Sequence, residues 1–236
     1  VGVAKVDGRA DLERLLGEKG QTPYVLEEYV EGQIFSYDAI LDSRCQPLFE
    51  NMEEFPPSMA RVATEGLDLW YCSLPTVDPI LRQLGRACAW SLGLARRFVH
   101  MEFFRLAHDK PGLGQRGDYV GLEVNVRPPG GYSPDMMNFA HSTDVYQIWA
   151  DMVALDRSTL PPSRDNHFCV YAGRRDSHAY AHSHEDVIAR FGDSIVMCER
   201  MPDALSNDMG NQMYTARLDG ARERDEFIRY VQERAD

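Results

Sequence analysis

The sequence predicts an α+β protein: an antiparallel sheet with packing helices, followed by a small α+β cap over residues 159–236. Three observations carry this. Residues 97–106 and 121–127 alternate apolar and polar side chains with the period of a strand, and the Gly-, Asp- and Pro-rich stretch between them reads as a hairpin connection. Residues 78–94 have the apolar spacing of a packing helix. The last stretch, after the connector LPPSRDN (160–166), runs strand–helix–strand–strand–helix.

In chain order, residues 1–6 read as a short strand. Residues 7–20 read as a short helix with Leu12, Leu15 and Leu16 as its apolar stripe and Gly20 as its stop. Residues 24–42 read as two strands around a turn at Glu31–Gly32, and residues 45–58 begin as another strand and end in a proline stop. Residues 59–76 have no clean period. In the helix over 78–94, Asp78 suits the N-cap and Pro79 the first helical position. Its stripe reads Ile80, Leu81, Leu84, Ala87, Cys88, Ser91 and Leu92, and Gly93 supplies the stop. Residues 132–155 read as two helices. Pro134 opens the first, Ser142 or Thr143 caps the second, and Val145, Ile148, Trp149, Met152 and Val153 form the apolar face of the second. Met136 and Met137 read as core. In the C-terminal stretch a capped helix follows Ser183, and Phe227, Ile228 and Val231 share one face of the terminal helix.

Composition narrows the function. A net charge of −12 argues against nucleic acid or an anionic membrane surface as partner, since both need a basic face. No apolar run reaches the roughly 18 residues of a membrane-spanning helix. The five cysteines are scattered, form no C-x-x-C and leave an odd one over, which suits free thiols in a reducing cytoplasm.

The chemistry concentrates in GLEVNVRPPGG, residues 121–131. As a strand it places Glu123, Asn125 and Arg127 on one face, about 6–7 Å apart, and Leu122, Val124 and Val126 on a face that can be buried. A carboxylate and an amide oxygen are hard ligands suited to Mg²⁺, and Arg clamps an anion such as a phosphate or acyl phosphate. Pro128, Pro129, Gly130 and Gly131 end the strand and allow close backbone approach. The plain alternative is an edge strand with a solvated polar face. In RFVHMEFFRL (97–106), His100, Glu102 and Phe104 share one face and Val99, Met101 and Phe103 the other. Antiparallel pairing of the two segments brings Glu102 opposite the Glu123/Asn125 row, where two carboxylates repel unless a cation lies between them. HAYAHSHED (178–186) clusters three histidines; His182 and His184 would suit a metal only with partners from elsewhere, and such loops are usually solvated.

HMEFF together with LEVNVRP resembles the second half of an ATP-grasp domain. YVLEEYVEG (24–32) resembles that family's hinge strand, and VGVAKV (1–6) the trailing part of its glycine-rich phosphate loop. Hinge, helix, H-x-E-F and E-x-N-x-R-P follow one another in the family's order over roughly residues 1–155. The resemblance implies a partial ATP-grasp nucleotide-binding region at 1–158 and a small cap at 159–236, with a further α/β domain and a phosphate-binding Lys expected upstream.

It implies ATP and Mg²⁺ (or Mn²⁺) as cofactors, with Glu102, Glu123 and Asn125 as metal ligands and Arg127 stabilising the transferring phosphoryl group. Phe104 would pack against adenine. The backbone of Glu28 and Val30 would read the adenine edge, Glu31 the ribose and Lys5 the phosphates, with Glu27 a structural carboxylate of the hinge. Gly130, Gly131 and Ser133 would face the acceptor. Residues 59–76 would be a flexible connection facing the nucleotide. The activity implied is ligation of a small-molecule carboxylate to an amine (or thiol) through an acyl phosphate, with this stretch alone inactive. The alternative is a regulatory nucleotide-binding module. Exposed sheet edges are compatible with a homodimer.

Overall fold

The computed structural model describes residues 4–18, 20, 23–56, 62 and 66–235. The chain divides into two units, residues 1–31 and 32–236.

In the first unit, α1 (Arg9–Glu18) carries the ion pairs Arg9–Glu13 and Arg14–Glu18 at i,i+4 spacing. The stripe expected of it buries nothing, and Leu16 is exposed. The strands expected over 1–6 and 24–31 do not form among the described residues: 4–7 and 23–31 are irregular, and Tyr24, Val25 and Leu26 are exposed. A strand is held by a ladder partner, and the ladders described here begin at Gly32.

In the second unit, the chain runs β1 (Gly32–Leu41), β2 (Pro47–Glu54), β3 (Trp70–Ser73), α2 (Pro79–Ser91), β4 (Arg97–Leu106) and β5 (Tyr119–Asn125). Next come α3 (Ser133–His141), α4 (Val145–Leu155), β6 (Phe168–Arg174), α5 (His184–Phe191), β7 (Ile195–Arg200), α6 (Asp203–Met209), β8 (Gln212–Leu218) and α7 (Ala221–Gln232). The strands form one antiparallel sheet in the order β5-β4-β1-β2-β3-β6-β8-β7. The unforeseen β3 joins β2 to β6 and so carries the C-terminal strands into the same sheet. Its four residues are too few to show a period, as are the seven of α6. The flexibility expected of 59–76 falls in part outside the described residues.

The two faces of the sheet are covered differently. Tyr37, Ala39, Met101 and Phe103 pack under α2, whereas Ile40 and Phe98 of the opposite face pack against Met137, Ile148 and Met152 of α3 and α4. Asp78 caps α2 as expected, its Oδ1 accepting from the Ile80 amide at 2.8 Å. The buried face of α2 is Leu81, Gly85 and Ala89, and Ile80 and Leu92 of the expected stripe are exposed. The Tyr37 ring sets that rotation: a Cβ at position 85 would lie 2.3 Å from Tyr37 Cδ1, so only glycine admits it. Asp144, rather than Ser142 or Thr143, caps α4, because Ser142 takes the left-handed turn that ends α3. Val153 of the expected α4 face is exposed, while Met136 and Met137 are buried. Ser183 closes a capping box on α5, and Phe227 and Val231 of α7 are buried against the sheet.

Overpacking at Gly85 should be costly. Gly85→Ala is expected to destabilise the fold by about 1–3 kcal/mol in denaturant unfolding, and Ile80→Ala to change it by less than about 0.5 kcal/mol.

Candidate functional site

Strand register builds the site. Glu123 pairs with Glu102, Glu102 with Ser36 and Ser36 with Glu53, which makes one row of polar side chains across β5, β4, β1 and β2. Two residues along, Asn125 pairs with His100, His100 with Asp38 and Asp38 with Asn51, making a second row. Paired residues of antiparallel strands share a face. Both rows therefore lie on the α3/α4 side, opposite Tyr37 and Met101. A bulge at Leu122 lets the register shift between Glu102 and Phe103 without separating the two carboxylates.

The buried part of these rows is densely bonded. His100 Nδ1 meets Asp38 Oδ1 at 2.6 Å and its Nε2 meets Glu102 Oε1 at 3.0 Å. The other Asp38 oxygen accepts from Ser36 Oγ at 2.7 Å and Asn51 Nδ2 at 3.1 Å. Asn51 Oδ1 accepts from Ser73 Oγ at 2.6 Å and lies 2.8 Å from Nε2 of His141, a residue of α3. Ser133, at the start of α3, donates to Glu53 Oε2 at 2.9 Å.

These partners set the charges. Burial works against the charged ring of His100, but Asp38, followed by Glu102, outweighs it and pushes His100 up to about 10. Burial, reinforced by the charge of Asp38, pushes Glu53 up to about 8. Burial also lowers His141, against the hydrogen bond to Asn166 that raises it. Glu53 Oε1 has no hydrogen-bond partner among the described residues, as suits a carboxyl that holds its proton.

The residues expected at the site divide into three groups. Glu102, Glu123 and Asn125 come together at the open end of the rows, where Asn125 Nδ2 donates to Glu123 Oε1 at 2.5 Å. Phe104 follows Glu102 on the same face, half-buried. Arg127 does not join the row: β5 ends at Asn125, and the exposed guanidinium donates to the Pro128 carbonyl at 2.8 Å. The Leu122/Val124/Val126 face is not buried, with exposures of 39%, 42% and 44%, because β5 is the edge strand. Gly131 has φ +59° and packs near Met209 and the Tyr71 hydroxyl, Gly130 borders open space, and Ser133 is buried on Glu53. The remaining residues, Lys5, Glu27, Glu28, Val30 and Glu31, belong to the first unit; there Lys5 pairs with Asp7 at 3.0 Å and lies over the Tyr29 ring.

The oxygens of Glu102, Glu123 and Asn125 are hard donors that fit Mg²⁺. Among the described residues no three His, Cys, Asp or Glu side chains converge on a metal-binding point. His182 stacks on Tyr230 and His184 bonds to the Tyr214 hydroxyl, which gives both structural partners. Sequence reasoning missed Ser36, Asp38, Asn51, Glu53 and His141. A signal was present in FSYDAI, where Ser36 and Asp38 alternate with apolar residues; in FENMEE polar residues fall on both faces and mask it.

No protein-family model and no curated protein matches the sequence. Solved structures do. An L-amino acid ligase from Bacillus licheniformis matches with a TM-score of 0.66 at 13% identity, over 98% of this chain and 59% of that one. N5-carboxyaminoimidazole synthetase from Staphylococcus aureus matches with a TM-score of 0.63 at 12% identity, over 96% and 57%. Phosphoribosylglycinamide synthetase from Anaerococcus prevotii matches with a TM-score of 0.61 at 14% identity, over 95% and 58%. These neighbours are ATP-grasp ligases, and the chain has their fold across less than two thirds of their length. The eight-strand antiparallel sheet with its helices is the α+β architecture expected from sequence. No helix among the described residues is long and apolar enough to cross a membrane, and all five cysteines are free thiols.

His100 takes up its second proton more tightly in the folded chain than unfolded, with its value raised from 6.5 to about 10. Its contribution to stability is complete below the unfolded value and is lost as pH rises through the folded one. Glu53, raised from 4.5 to about 8, adds a loss of the same sign over a lower window. The melting temperature should therefore fall between pH 7 and pH 10, and His100→Asn should flatten that fall.

Proposed function

We propose that this chain carries the magnesium–nucleotide face of an ATP-dependent ligase. The whole protein would activate a small-molecule carboxylate as an acyl phosphate and join it to an amine, releasing ADP and phosphate. The observation that carries the reading is the pairing of Glu102 with Glu123, with Asn125 beside them, on the sheet of an ATP-grasp fold. One of the solved neighbours, a Staphylococcus aureus N5-carboxyaminoimidazole synthetase, is complexed with ADP, which supports nucleotide use by this fold.

Glu102, Glu123 and Asn125 would hold Mg²⁺, or Mn²⁺ in its place. The cation would neutralise phosphate charge as the γ-phosphoryl group moves. The chain's own groups would position and stabilise rather than form covalent bonds. Arg127, exposed at the end of β5, would clamp the transferring phosphoryl group. Phe104 would offer its apolar ring to the adenine. Glu28 and Val30 would read the adenine edge through their backbone, Glu31 would approach the ribose, Lys5 would meet the phosphates, and Glu27 would brace that segment. The Ser133 hydroxyl is already committed to Glu53, so contact with the acceptor falls to the exposed Gly130 and Gly131.

Two outcomes check this. Calorimetry of a non-hydrolysable ATP analogue with the full chain should show Mg²⁺-dependent binding that Glu123→Gln abolishes; equal binding with and without Mg²⁺, or by the variant, would contradict the site. In the intact protein, Glu123→Gln and Arg127→Ala should each lower ADP release in the presence of substrates by roughly 100-fold, with unchanged melting temperatures.

A further inference from the structure

The least exposed part of the polar rows touches neither nucleotide nor acceptor in the reading above, yet it is the most tightly built. Side-chain exposure rises in steps from Asp38 at 0% to His100 at 6% to Glu102 at 23%. Each step is one hydrogen bond, at 2.6 Å and then 3.0 Å. Both ring nitrogens of His100 face carboxylate oxygens. The two contacts hold the ring from both sides.

We propose that Asp38 and His100 form a positioning pair that holds Glu102 for a divalent cation. The proposal rests on the reading of Glu102 as a metal ligand. Asp38 cannot turn, because Ser36 and Asn51 hold its second oxygen and Asn51 is itself fixed through Ser73 and His141. That fixes the ring, and the ring fixes Oε1 of Glu102, leaving the second oxygen of Glu102 for the cation. Removing either member of the pair therefore costs the orientation of Glu102. Partners that orient a metal ligand in this way typically cost about 10- to 100-fold in metal affinity when they are removed.

The test is a titration of MnCl₂ into the full chain with a saturating non-hydrolysable ATP analogue, followed by calorimetry. His100→Asn and Asp38→Asn should each raise the Mn²⁺ dissociation constant about 10-fold, while affinity for the nucleotide without metal stays unchanged. The double variant should be no worse than either single, because the two residues act through one bond chain. A purely structural role predicts additive losses that extend to metal-free nucleotide binding, and that result would overturn the proposal. Glu102→Gln separates the two levels. If it weakens Mn²⁺ binding while His100→Asn and Asp38→Asn do not, the positioning pair is refuted and the metal reading stands. If Glu102→Gln has no effect on Mn²⁺, the metal reading itself fails. Should His100→Asn not fold, Asp38→Asn, which preserves side-chain volume, decides the matter alone.

Discussion

Asp38 has no exposed surface, and a carboxylate in that position would be expelled or protonated without charged and hydrogen-bonding partners on every side. It finds them in His100, Ser36 and Asn51, which come from three adjacent strands. The requirement acts on the whole sheet. A slip of one residue in the β1–β4 or β1–β2 ladder would move the partners to the opposite face, where Tyr37, Met101 and Met52 form the core under α2. Buried polarity on one face and apolar packing on the other thus specify the same register, and that register also sets Glu102 against Glu123.

Coverage of the polar face is graded, and the grading separates structural from accessible groups. Over β2, the start of α3 seals Glu53 through Ser133, and its end meets Asn51 through His141. Over β4 and β5 the face opens, with Glu102 partly exposed and Glu123 fully in reach of solvent. Groups that lose their solvent shell at the covered end are paired or shifted toward their neutral form: burial raises Glu53 and lowers His141, and His100 pairs with Asp38. Among the described residues of this face, the more exposed carboxylates, Glu102 and Glu123, lie at its open end.

Much of the second unit was legible in the sequence because its signals are local. Alternation in RFVHMEFFRL reproduces β4 residue for residue, and Asp78–Pro79 and Ser183 mark helix starts through side-chain caps that need no tertiary context. The E-x-N spacing and its pairing with Glu102 were legible for the same reason. What escaped depended on distant residues. The rotation of α2 follows from the Tyr37 ring lying against Gly85, and Ile80 and Leu92 look as apolar as Leu81 until that ring is in place. Val124 and Val126 read as core, but they lie at the sheet edge and are exposed. Ser36, Asp38, Asn51 and Glu53 gain meaning only when three strands are side by side. Residues 24–31 show the converse: a β-like pattern that forms no strand among the described residues.

The account turns on a divalent cation being held where β4 meets β5. The most direct measurement is anomalous scattering from crystals of the chain grown with MnCl₂ and ADP. The account predicts a manganese peak between the Glu102 and Glu123 carboxylates, with phosphate oxygens completing its shell. Manganese and ADP bound elsewhere on the protein, with Glu102 and Glu123 bare, would contradict it.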